Sequence, residues 1–209
     1  MLRRSLVFLV TTLLVAGCRA MTEGGVETST AGAAAVQPDE PPTIDAGLSV
    51  DQAYAAIPHR RTVWDESSST VPPAEKPYLR VMFEVIDEAV AVRVAGLQNF
   101  WAGQYDRSDP VAQYDQLIGF ARRMPVPRTL AAYHRKVLDG LSGQRQFFAD
   151  WKSQRAQFPF AGQIGGHPGV RRASAALRSA YNELMGKYPA ESSSNKDAFF
   201  DYHCALDFL

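Results

Sequence analysis

Between residues 77 and 103 the large apolar side chains Leu79, Met82, Phe83, Ile86, Val90, Val94, Leu97 and Trp101 recur every three or four positions. That period lines side chains up on one face of an α-helix, here one about 40 Å long. A lone helix with such a stripe has nothing in water to lay it against, so its stability must come from packing on other helices. No stretch of the chain sustains an alternation of period two, and no internal repeat is present. The core is therefore expected to be built from helices alone.

The partner helices are announced by caps and prolines. Ser49 with Gln52 three positions later is a capping-box pattern, opening a short helix over 50–57 that Pro58 ends. A polar segment over 65–70 then runs into Pro72, Pro73 and Pro77. Asp109 followed by Pro110 is an N-cap with proline at the first helical position, for a helix reaching Arg123. Beyond Pro125 and Pro127, Leu130, Tyr133, Val137, Leu141, Phe148 and Trp151 stripe a long helix over 128–155. Gly140 and Gly143 inside it mark a close crossing or a kink. A glycine-rich loop over 161–166 precedes His167-Pro168, which opens a helix to Lys187 with a heptad-like face of Val170, Ser174, Leu177, Tyr181, Leu184 and Tyr188. Ser194 with Asp197 is expected to cap a last helix over 195–208. The expected fold is all-α: an antiparallel helical bundle of five to six helices over residues 48–209, with four of them carrying most of the core.

The start of the chain has a different character. Arg3 and Arg4 precede a short apolar run broken only by Thr11 and Thr12, too short to span a bilayer, which needs ~20 apolar residues. A charged start, a short apolar run and small residues at its end read as an export signal over 1–17. Val15-Ala16-Gly17-Cys18 resembles the lipobox of bacterial lipoproteins. The resemblance covers only this leader. It implies cleavage before Cys18, acylation of that residue by palmitate-like chains, and contact with the membrane through the lipid anchor. An aspartate after the cysteine would resemble an inner-membrane retention signal. Arg19 stands there instead, so the expected address is the outer membrane, facing the periplasm. Residues 18–47 are rich in Gly, Ala, Ser, Thr and Pro and read as a lipidated cysteine followed by a flexible tether.

Composition excludes some functions. Basic and acidic residues number 22 each, and without Arg3 and Arg4 a slight acidic excess is left, so no basic surplus exists for nucleic acid. The two cysteines are Cys18 and Cys204; with Cys18 acylated, no disulfide can form within the chain. Cys-x-x-Cys-His, Glu-x-x-His and Walker motifs are all absent from the sequence, so no cofactor is called for. Non-covalent haem would need axial ligands drawn from His134, His203, Met82 and Met185 around one cavity. Glu84, Asp87 and Glu88 read as a solvated face opposite the apolar stripe, and Cys204 as a buried small residue. Gly140-Leu141-Ser142-Gly143 lacks a residue of the Gly-x-Ser-x-Gly elbow and sits within a helical pattern.

Two basic spots are candidate anion sites. Arg171 and Arg172 fall in the first turn of a helix, where the macrodipole disfavours cations, and either hold an anion with the glycine amides before them or pair with an acid of the bundle. His59, Arg60 and Arg61 lie beside Trp64 and suit either a polyanionic surface or a packed corner. The functional expectation is a membrane-anchored envelope lipoprotein whose bundle is a non-catalytic binding module for an envelope partner. The alternative is a bundle that binds a small ligand or cofactor.

Overall fold

The computed structural model describes residues 39–154 and 161–208. The leader, Cys18 and the expected tether up to residue 38 lie outside the described residues. Regular structure among the described residues is helical throughout: α1 (Val50–Ala55), α2 (Lys76–Trp101), α3 (Pro110–Arg123), α4 (Ala131–Ser153), α5 (Pro168–Lys187) and α6 (Ser193–Leu206). Short 3-10 turns, Arg128–Leu130 and Ala161–Gly166, lead into α4 and α5.

The caps explain where most helices start. Ser49 and Gln52 form the reciprocal capping box at α1. Asp109 accepts the Ala112 amide ahead of Pro110 at α3, and the His167 ring accepts the Gly169 amide at α5. At α6 the cap is Ser192, whose hydroxyl accepts the Asn195 amide, and not the expected Ser194. The expected single helix over 128–155 begins instead as a 3-10 turn after Pro127.

Cross-helix pairs fix the direction of each helix. Lys136 meets Glu183, and Gly140 abuts Leu177, so α4 and α5 run antiparallel. Asp115 pairs with Arg145 and Asp109 with Lys152, which makes α3 antiparallel to α4. Tyr181 meets Phe200, and Ser174 donates to Asp207, so α5 and α6 are antiparallel as well. Phe83 stacks on Tyr202 at 4.4 Å, and Arg93 donates to the Ala205 carbonyl, so α6 runs parallel to α2. Chain neighbours thus alternate up and down, as short connections require.

Helix α2 is the axis of this bundle, buried on nearly every side. That corrects the expectation of a single stripe with a solvated opposite face. Asp87 is buried: its carboxylate accepts from Tyr54 Oη at 2.9 Å and Arg61 Nη2 at 2.5 Å. Glu88 accepts the Ile44 amide. The polar face is covered because α1 and the segments before and after it lie across α2. Ile44 and Ala46, expected in the tether, belong to the core, and Gln113 Nε2 donates to the Asp45 carbonyl. Packing therefore starts before Leu48. Trp101, at the end of α2, leaves the core and is 54 % exposed.

Two close approaches lock α4 to α5. A Cβ on Gly143 would lie 2.7 Å from the Gly169 carbonyl oxygen, and one on Gly140 would lie 2.8 Å from Leu177 Cδ2. The glycines therefore mark a close crossing.

The end of α6 is tied from within. Buried Arg93 donates from Nη2 to the Ala205 carbonyl at 2.7 Å and sets its guanidinium over Phe208. Gln144 Nε2 donates to the Leu206 carbonyl. These donors satisfy carbonyls that a helix C-terminus leaves without intrahelical partners.

Candidate functional site

The five basic candidates do not converge. Arg60 reaches Asp197 at 3.1 Å and Asp201 at 3.6 Å. Arg61 bridges Asp51 and Asp87 over the Tyr54 ring. Both guanidiniums are thus matched by carboxylates of the bundle, Arg61 from a part-buried position and Arg60 from an exposed one. His59 stacks beside Phe200 with ring centroids 6.3 Å apart. Arg171 and Arg172 are exposed and make no ion pair among the described residues. They sit at the other end of α6: Asp197 and Asp207, which mark the two spots, are separated by roughly 15 Å of helix. An anion site shared by the five is not formed.

A different site emerges between α5 and α6. A half-enclosed cleft of about 190 Å³ is lined by Arg178, Tyr181, Phe200, His203, Cys204 and Asp207. Its position follows from local sequence. Phe199 and Phe200 are adjacent on a helix, so their side chains diverge by ~100° and cannot share a face. Phe199 enters the core, and Phe200 is left 48 % exposed at the cleft. Tyr181 packs edge-on to Phe200, with centroids 5.6 Å apart. His203 lies one helical turn beyond Phe199 and is only 3 % exposed.

The imidazole of His203 is held in one tautomer. Its Nδ1 sits 2.6 Å from the Phe199 carbonyl. A carbonyl only accepts, so Nδ1 carries the proton and neutral Nε2 is a bare acceptor. Burial pushes the His203 pKa down to about 4, against the pull of that hydrogen bond, so the ring is neutral at pH 7. Nε2 is buried and has no hydrogen-bond partner among the described residues. An unmet acceptor in such a place costs about 1–3 kcal/mol. Cys204 in the same wall is half-buried, not fully buried as expected, and burial raises its thiol pKa. The thiol is therefore a weak nucleophile at neutral pH. Asp207 accepts from the Ser174 hydroxyl.

Of the four side chains considered as haem ligands, this cleft takes only His203. His134 lies 3.0 Å from Tyr78 Oη, and Met82 is fully buried in the core. Among the described residues, no group of three or more His, Cys, Asp and Glu side chains is placed to hold a metal ion. No family model, no curated protein and no solved structure matches the chain. The sequence contained one signal for the cleft: a double aromatic in a helix must turn one ring outward. The unmet Nε2 had no such signal, because it depends on what the neighbouring helices fail to supply.

Proposed function

We propose that the chain is an exported lipoprotein, anchored through acylated Cys18, that presents a helical binding module in the cell envelope. The leader and the lipobox resemblance support the anchor, and the polar stretch after Cys18 suits a spacer. No helix among the described residues is long and apolar enough to cross a membrane. The observation that carries the binding reading is the α5–α6 cleft, where Phe200 is left exposed edge-on to Tyr181.

Two measurements on intact cells test this. An alkyne-tagged fatty acid should label the wild-type chain and leave Cys18→Ser unlabelled and outside the membrane fraction. Iodoacetamide should alkylate Cys204 more slowly in the cell than in protein stripped of ligand by denaturation and refolding, and Phe200→Glu should erase the difference. Equal rates for the native and stripped chains would mean an unoccupied cleft and would end the binding reading.

A further inference from the structure

Arg60, Arg61, Arg80 and Arg145 each form an ion pair with a carboxylate of the bundle. Arg122, Arg123, Arg128 and Arg135 do not: all four are exposed, and none makes an ion pair among the described residues. They gather around one turn. Arg122 and Arg123 close α3, Arg128 opens the 3-10 turn, and Arg135 lies in α4, where it lines a groove together with Arg122. The C-terminal dipole of α3 suits Arg122 and Arg123. It does not account for Arg128, which stands at the start of the helical run into α4, where the dipole opposes a cation. Asp139 lines the same groove, and Lys136 there is matched by Glu183, so the turn keeps a positive excess. Between the arginines the chain reads Met124-Pro125-Val126-Pro127, with Met124 buried, Val126 and Pro127 half-buried and Pro125 exposed. A partly apolar tip ringed by guanidiniums fits a lipid interface, where arginines take phosphates bidentately and the tip meets the acyl boundary.

The place of this turn in the bundle is a second, independent observation. Thr129 donates to Glu75, just ahead of α2, and Tyr78 Oη lies 3.0 Å from His134. The start of α2 and the α3–α4 turn therefore share one end of the bundle. The N-terminal segment lies along α2: Glu40 is near enough to Glu84 to act on its carboxyl, and the Ile44 amide is held by Glu88. Followed from residue 44 back to residue 40, the chain heads for that same end. An anchor at Cys18, the reading on which this step rests, would thus bring the basic end to the bilayer ahead of the end that carries Arg171 and Arg172. We propose that the α3–α4 turn docks on an anionic lipid surface, with Arg122, Arg123, Arg128 and Arg135 received by headgroup phosphates and Pro125 at the contact. An acyl chain and a basic patch are two signals that together hold a protein on a membrane.

Vesicle flotation of the full chain with Cys18→Ser tests the surface apart from the anchor. The leader is common to every variant, so differences between variants report the turn. Phosphatidylglycerol vesicles should bind the parent chain more tightly than phosphatidylcholine vesicles. Arg128→Gln with Arg135→Gln should lower the affinity for phosphatidylglycerol about 25-fold, at roughly fivefold for each arginine taken from an anionic surface. Arg171→Gln with Arg172→Gln removes the same charge from the opposite end, beyond a Debye length of ~10 Å, and should lower it by less than about twofold. Equal losses in the two pairs overturn the assignment to this end, and no loss in either overturns the lipid surface. Inorganic phosphate that displaces the chain further than chloride at equal ionic strength reveals a site for the free ion and overturns it too. The anchor is read separately, by alkyne labelling of Cys18. Labelling with equal losses keeps the anchor and rejects the docking surface, while a selective loss without labelling keeps the surface and rejects the anchor.

Discussion

Glu191 shows how much a single side chain organises in this bundle. Its Oε1 accepts from the Ser69 hydroxyl, the Thr70 hydroxyl and the Val71 amide, and its Oε2 accepts from Asn195 Nδ2. Burial alone would raise its pKa, but these donors outweigh burial and hold the carboxyl below the usual glutamate value. A depressed carboxylate pKa contributes stability above the unfolded value of 4.5, and that stability is lost as pH falls through the folded value. Glu191→Gln places an NH₂ against a donor and should cost about 1–3 kcal/mol in urea denaturation at pH 7. His203 acts in a higher window. Its folded pKa of about 4 lies under the free value of 6.5, so its contribution is complete above 6.5 and declines as pH falls toward 4. That loss amounts to about 3 kcal/mol across the window. Denaturation midpoints measured from pH 7 to 3 should fall in two stages, the His203 stage first. His203→Phe should shrink the first stage, to which His134, whose pKa burial also lowers, contributes the rest, and should leave the second in place.

Among the elements, the α4–α5 crossing carries the sharpest expectation. At Gly143 an added methyl meets the Gly169 backbone, which cannot rotate away, so Gly143→Ala should destabilise by about 1–3 kcal/mol. Gly186, in α5, faces open space, and Gly186→Ala should stabilise by about 0.5–1 kcal/mol through helix propensity alone. Thermal melts of the two variants beside the parent chain should move in opposite directions. The helices themselves were legible because period and caps are local: α3 carries both Asp109 and its following proline in the sequence. The covering segment was not legible. Its path over α2 and α6 rests on bonds such as Thr62 to Asp201, Asp65 to Asn195 and Arg61 to Asp87, which join residues far apart in sequence. No local pattern encodes pairings of that kind, so Asp87 reads as solvated and Arg61 stays open between a polyanionic surface and a packed corner. The cleft was half legible for the same reason: the Phe199–Phe200 pair is local, and the isolation of His203 Nε2 is not.

At the scale of the whole molecule, the folded bundle begins before the expected boundary at Leu48. Ile44 is core, and its amide is held by Glu88. Ile44→Ala in the full chain should therefore cost about 2 kcal/mol or more, read by urea denaturation, where a true spacer residue would cost nothing.

Arg93 imposes an order on assembly. Its guanidinium is buried over the Phe208 ring, and the carbonyl that receives it belongs to Ala205, 112 residues further along the chain. Before α6 docks, that face of α2 is open and the guanidinium is hydrated; docking takes it out of water, and the Ala205 carbonyl and Phe208 ring offset part of that cost. Without α6, the Arg93 side of the core is left open to water. The last of the six helices among the described residues therefore completes the core as well as extending it.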